Sequence, residues 1–391
     1  MTFYDFDNLA PDRRGTASYK WDSDTRDDMI PLWVADMDFR TAPAIIEALR
    51  RRVDHGVFGY VRVPDAYYDA LIRWFATRHG WHFHRSDVIY TSGVVPAISA
   101  TIKALCTPGS GVVVQTPVYN CFFSSIRNNG CRIIQNPLIR EQLDNRRFTY
   151  RMDLEGLEKL IAQPKVKTLL LCNPHNPAGR CWTFDELREL ADLCNRYTVT
   201  VISDEIHCEL TLGQRAFVPF ATVPGAQNYV VCNSPSKAFN TAGLQIANII
   251  TPDAAAREAI DWAININEVC DVNPFGVEGL IAAYNKGAGW LGQLCDYLRG
   301  NYFAFSTFMD ENLPGLPYAE LEATYLAWID IRATGRTGQE IEHTLKEHYG
   351  VWINAGAMYG CDDYIRINLA CPKARLMEGL RRMAEGIKTM L

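Results

Sequence analysis

Short apolar runs recur along the middle of the chain, at residues 87–91, 111–115, 132–137, 166–172, 198–203, 228–232 and 246–250. Such runs, bounded by Gly, Pro, Asn or Asp, predict buried strands. Between several of them the apolar spacing switches to a helical period. Residues 184–197 are the plainest case, opened by Thr183 with Glu186 three positions on, the signature of a capping box. This alternation predicts an α/β fold with a largely parallel sheet covered by helices. After residue 252 the pattern turns helical, over 253–267 and 279–310, before the strand-like run Tyr325-Leu326-Ala327-Trp328-Ile329. That last part predicts a smaller α+β unit. No internal repeat or low-complexity stretch interrupts the chain.

Composition narrows the classes without choosing one. The 391 residues are 48% apolar and 21% charged, the balance of a soluble globular protein with room for two or three packed units. No apolar run reaches the roughly 18 residues of a membrane helix. The acidic, aromatic start is unlike a signal peptide, so the expectation is a cytoplasmic protein. A net charge of −6 and scattered basic clusters, Arg50-Arg51-Arg52 and Arg146-Arg147, argue against nucleic-acid binding. The 12 cysteines form no Cys-x-x-Cys pair, and Cys172, Cys208 and Cys232 lie in or beside apolar runs, as buried free thiols do. His82-Phe83-His84 lacks companions at metal-site spacing and reads as a surface strand, so no metal is expected. Gly287-Ala288-Gly289-Trp290-Leu291-Gly292 matches a dinucleotide-binding pattern, but it follows no strand and lies in a helical region.

Candidate chemistry sits at the ends of the apolar runs. Ser234-Pro235-Ser236-Lys237 follows the run that ends at Cys232, Asp204 closes the run before Glu205-Ile206-His207, and Asn173-Pro174-His175-Asn176-Pro177-Ala178-Gly179-Arg180 follows Cys172. A loop amine beyond a buried strand can condense with an aldehyde cofactor once its pKa falls. An anion opposite a pyridine nitrogen, the post that suits Asp204, keeps such a ring protonated as an electron sink. In the rigid Asn-Pro turn, Asn176 can present its amide to the cofactor's phenolic oxygen. Ser92-Gly93-Val94-Val95-Pro96 hands a strand over to a helix, where free N–H groups at Gly93, Val94 and Val95 form a phosphate cradle. Ser234 and Ser236 would add hydroxyls to it. Each feature alone has a plain alternative: a solvated loop lysine, a capping aspartate, a surface turn. Together they point to pyridoxal 5'-phosphate (PLP) held on Lys237.

The order Asn-Pro-x-Asn-Pro-x-Gly, Asp-Glu-x-His, Ser-x-Ser-Lys and a late Arg resembles fold-type I PLP enzymes of the aspartate aminotransferase superfamily, across nearly the whole chain. The segments Arg13-Arg14-Gly15-Thr16, Pro31-Leu32-Trp33-Val34-Ala35-Asp36-Met37-Asp38-Phe39 and Thr91-Ser92-Gly93-Val94-Val95-Pro96 are similar to the bacterial cystathionine β-lyase (cysteine-S-conjugate β-lyase) branch. The resemblance implies a large PLP-binding domain over residues 48–285 and a small domain built from 1–47 and 286–391. It implies a homodimer with shared active sites, in which Tyr60 reaches the partner's phosphate, and it places the Tyr119 ring on the cofactor. Tyr60 and Tyr119 join Lys237 as catalytic candidates. It puts His207 at the phenolic oxygen and Arg366 on the substrate carboxylate, with the backbone at Ala35 and Asp36 closing over it and Asn176 nearby. Two departures stand out: Gln245, where many relatives have an arginine for the phosphate, and Phe217, where a histidine is common. Met358 and Tyr359 are expected to line the substrate pocket. The implied activity is β-elimination from a sulfur-bearing L-amino acid. Aminotransfer, which shares every step up to loss of the α-proton, is the alternative, followed by a regulatory PLP-binding protein acting through a protein partner.

Overall fold

The computed structural model describes residues 2–268 and 271–391. All seven predicted strands form, as Val88–Thr91, Gly111–Val114, Arg132–Gln135, Val166–Cys172, Thr200–Asp204, Tyr229–Asn233 and Ala247–Ile250. They make one seven-stranded sheet, parallel except for Ala247–Ile250, which runs antiparallel between Val88–Thr91 and Tyr229–Asn233. The near-continuous apolar character of the central strands has a simple cause, because both faces are covered. One face packs with the helices Val94–Leu105 and Asn120–Asn128, the other with Leu154–Ile161 and Phe184–Arg196. The capping box at Thr183 and Glu186 is present, with Glu186 also clamped by Arg180.

Register decides where the chemistry emerges. Cys172 lies opposite Asp204 and Asp204 opposite Cys232, so the Asn-Pro turn, the Asp-Glu step and the lysine loop all leave the sheet at one carboxyl edge. Ligands in open α/β sheets collect at that edge.

A second, six-stranded sheet contains Asn354–Ala355, Tyr364–Asn368, Leu326–Asp330, Tyr318–Ala319, Arg147–Arg151 and Ile139–Gln142, in that order. The last two form a hairpin that the apolar pattern did not predict. Its strands are partly exposed and carry Arg140, Glu141, Arg147 and Arg151, so their alternation is diluted by charge. The hairpin lies within residues 48–285 yet pairs with the C-terminal sheet. The N-terminal segment crosses the same region: Ile30–Pro31 pairs in parallel with Val351–Trp352, and Asn368 N–H donates to the Leu32 carbonyl at 2.8 Å. The single helix expected over 279–310 is two, Pro274–Lys286 and Ala288–Asn312. Gly287 separates them where its backbone meets the Phe239 ring too closely for a side chain. His82 and His84 are exposed as expected but belong to no strand. No described helix is long and apolar enough to cross a membrane.

One glycine ties the second sheet to the site. A Cβ on Gly356 would lie 2.0 Å from the Cys361 carbonyl and 2.6 Å from that of Tyr364. Gly356→Ala must push apart the turn that supports Tyr359 and the strand that carries Arg366, at a cost of roughly 1–3 kcal/mol. Thermal unfolding of the variant should begin at a lower temperature than wild type; coincident transitions would show that the turn yields freely.

Candidate active site

The strand ends enclose a cavity of about 200 Å³. Gly93, Val94, Val95, Tyr119, Asn176, Asp204, His207, Ser236, Lys237 and Ala35 all line it, which brings together most of the sequence-predicted site. Gly93 precedes the helix Val94–Leu105, whose first turn has N–H groups without helical acceptors. Those groups and the positive end of the helix dipole form an anion cradle. Gln245 lines the same cavity, and among the described lining residues Lys237 is the one cation.

Burial sets the electrostatics. Desolvation, then the Arg366 guanidinium, push the Lys237 amine down to about 8, against the opposing pull of Asp36 and Asp204. Desolvation pushes the Asp204 carboxyl up to about 7, although the Ile206 N–H and Lys237 favour its charged form. His207 is held well below its ordinary value by burial, with Lys237 and Arg366 adding to the effect, so its ring is neutral. The Tyr119 hydroxyl is pushed well above its usual range, first by burial. His175, buried under the turn, falls to about 4 by desolvation, its Nε2 resting 3.3 Å from the Gln115 carbonyl.

Arg366 is locked in place from three directions. Its guanidinium donates to Asn176 Oδ1 at 3.1 Å and to the Trp33 carbonyl at 2.9 Å, and it lies over the Tyr359 ring at 4.8 Å. Its buried Nε has no partner among the described residues, and neither has His207 Nδ1. Because Asn176 spends its oxygen on Arg366, its NH₂ side is left for an acceptor in the cavity.

The N-terminal segment is strapped over this edge by its own carbonyls. Lys237 Nζ donates to the Ala35 carbonyl at 2.6 Å, and Tyr325 OH donates to the same oxygen at 3.0 Å. Asn368 Nδ2 reaches the Val34 and Asp36 carbonyls, each at 2.6 Å. Asn240, three positions after the lysine and at φ 54°, accepts from Met37 N–H and donates to the Met37 and Phe39 carbonyls. Asn240, Tyr325 and Asn368 escaped the sequence reading because each acts on a distant backbone carbonyl, which no local pattern records.

Several expected residues lie elsewhere. Ser234 is buried off the cavity wall, its hydroxyl donating to the Ile246 carbonyl at 2.5 Å and accepting from Ser236 N–H, so Ser236 is the serine that faces the cavity. The Asp36 carboxylate turns away to Arg13, at 2.8 Å, leaving the backbone as its contribution. Met358 is 41% exposed and off the wall, while Tyr359 lies beneath Arg366. Phe217 packs edge-on against His79, not against the cavity. Tyr60 is 95% exposed and does not reach the cavity of its own chain. His79, Cys208 and Glu209 bring donor atoms within 4.8 Å of one another, but the Glu209 oxygens are already taken by Trp74, Arg78 and His79, an ion-pair hub rather than a metal centre.

A half-buried amine just beyond a parallel strand, a carboxylate one strand over and free N–H groups at a helix start define a cofactor site of the aminotransferase type. The sequence agrees: residues 27–383 match the family model for aminotransferase class I and II, and the chain belongs to that family. It is 39% identical over 380 residues to cystathionine beta-lyase PatB of Bacillus subtilis, covering 95% of this chain and 97% of that one. It is 34% identical over 395 residues to protein MalY of Escherichia coli, covering 99% and 100%. Cystalysin from Treponema denticola, whose crystal structure contains a pyridoxal 5'-phosphate cofactor, superposes with a TM-score of 0.94 at 30% identity over 100% of both chains.

The raised Asp204 pKa has a testable sign. Its folded value of about 7 lies above the ordinary 3.8, so this group stabilises the cofactor-free protein fully below that ordinary value, and the contribution is lost as pH rises through 7. Asp204→Asn removes the dependence. Between pH 5 and pH 8 the cofactor-free wild type should therefore lose roughly 3 kcal/mol relative to the variant, read from thermal or denaturant unfolding. Parallel profiles would show that Asp204 is charged throughout.

Proposed function

We propose that the chain is a PLP-dependent carbon–sulfur β-lyase, cleaving L-cystathionine or a related L-cysteine S-conjugate to a thiol, pyruvate and ammonia. With L-cystathionine the thiol is homocysteine. The observation that carries this reading is the convergence of the Lys237 amine, the Asp204 carboxylate and Asn176 on one cavity, with Arg366 off its wall but bonded to Asn176. The residues fit the cofactor: buried His207 Nδ1 lacks a partner among the described residues, and the helix start at Gly93 offers N–H groups to a phosphate. PLP, when bound, supplies the electron sink that allows an α-proton and then a β-thiolate to leave.

The chain's own residues do the rest. Asp204 would face the pyridine nitrogen, whose positive charge would restore its carboxylate, Asn176 and His207 would present donors to the ring's phenolic oxygen, and Tyr119 would cover a ring face. Gly93, Val94 and Val95, with Ser236, would hold the phosphate. Arg366 takes the substrate carboxylate, its fork already aimed by Asn176 and Trp33. The Lys237 amine, at about 8, is partly neutral near neutral pH and can take the α-proton. The Ala35 segment keeps water from that edge.

The preference for elimination over aminotransfer is supported by the relatives, of which PatB is named a lyase and is 39% identical. A homodimer is supported by the apolar surface exposed at Val57, Phe58 and Tyr60. A second copy covering that surface would bring Tyr60 toward the partner's phosphate cradle. The free cysteines, many of them buried, support a reducing, cytoplasmic setting.

Purified protein supplied with PLP and L-cystathionine, but no keto acid, should release pyruvate, and Lys237→Ala should release none. PLP-loaded wild type that releases no pyruvate from L-cystathionine would overturn the cystathionine assignment and bring aminotransfer or another sulfur substrate forward.

A further inference from the structure

The Ala35 carbonyl takes two donors at once: Lys237 Nζ at 2.6 Å and the Tyr325 hydroxyl at 3.0 Å. A carbonyl oxygen has two lone pairs, so the two bonds coexist. Tyr325 is 1% exposed, and Ala35 is the one acceptor its hydroxyl has among the described residues. Packing alone does not call for a hydroxyl there. The ring belongs to the apolar core and meets His207 edge-on at 6.2 Å, a place that phenylalanine would fill equally well. Nor can the carbonyl swing away, since Asn368 holds the carbonyls on either side of it.

We propose that Tyr325 is a positioning residue for Lys237: its hydroxyl occupies one lone pair of the Ala35 carbonyl, fixes the direction from which the amine docks, and weakens that carbonyl's hold on the protonated amine. The inference rests on the reading of Lys237 as the cofactor lysine. An ammonium group gains more from a carbonyl than a neutral amine does, so an unshared carbonyl raises the amine's proton affinity and a shared one raises it less. The other groups facing the amine are Arg366, which lowers its pKa, and Asp36, Asp204 and Cys121, which raise it, with His207 neutral beside them. Tyr325 thus adjusts the strength of the one hydrogen bond the amine makes among the described residues. It keeps a larger neutral fraction of Lys237 ready both to capture the cofactor and to take a proton.

The test uses cofactor-free full-length protein mixed with PLP across a pH series, with the visible absorbance of covalent capture as the readout. Competitive acylation of Lys237 without cofactor, read by peptide mass, gives the amine's titration independently. Tyr325→Phe should move the midpoint of both profiles upward by about half a pH unit, a capture rate roughly threefold lower at a fixed pH below the midpoint. Site-specific 3-fluorotyrosine at position 325, a stronger donor of the same shape, should move both midpoints downward, and it decides the matter if the phenylalanine variant does not fold. Midpoints that stay in place, or shifts of the opposite sign, overturn the proposal. Wild type that captures PLP while the midpoints stay fixed defeats this inference alone. Wild type that captures no PLP defeats the reading of Lys237, and the acylation midpoints still decide what Tyr325 does.

Discussion

The bond between the Lys237 amine and the Ala35 carbonyl is the contact on which the site depends. A lysine half-buried beyond a strand needs acceptors for its N–H groups, and here the acceptor is backbone from the far end of the chain. The segment that supplies it has little strand pairing of its own beyond Ile30–Pro31, so its carbonyls must be satisfied by side chains. Arg366, Asn354, Asn368, Tyr325 and Asn240 satisfy those of residues 33 to 37 in turn, and Asn240 that of Phe39 as well. The same donors that keep the segment in place therefore set the position of the amine and of the arginine. Fold stability and site geometry rest on one set of hydrogen bonds.

Burial then acts in opposite directions on the two charged groups that face the cavity. It lifts Asp204 and lowers Lys237, bringing both close to neutrality. In such a pair each group responds to whatever charge arrives between them. A cationic ring nitrogen would restore the carboxylate. The site is thus electrically incomplete without a ligand that carries a cation at one end and an anion at the other, where the Gly93 helix start awaits it.

Much of this was legible in the sequence. The seven apolar runs became the seven strands of the main sheet because strands covered on both faces must be apolar throughout, and their loop-borne motifs then met at one edge. The charged hairpin at 139–151 was missed for the converse reason: half-exposed strands carry a mixed pattern. The break at Gly287 was invisible because helical periodicity runs through it, and only the approach of Phe239 marks the spot. In the site, residue type pointed to Lys237, Asp204 and Asn176, which the fold brings to one cavity, and to Arg366, which it places against Asn176. It failed for direction: Ser234 has the right hydroxyl pointed at the wrong partner. It also failed for contacts made through backbone, which is how Asn240, Tyr325 and Asn368 went unseen.

The most direct measurement of the strap is amide hydrogen exchange over residues 33–39 in wild type and in Asn368→Ala, with exchange in the strands Val166–Cys172 and Thr200–Asp204 as the internal reference. Two lost side-chain bonds worth about 1 kcal/mol each should speed exchange in the segment by roughly tenfold or more while the reference strands keep their protection. Equal exchange in both proteins would contradict the claim that side-chain donors, rather than packing alone, hold Ala35 against the lysine.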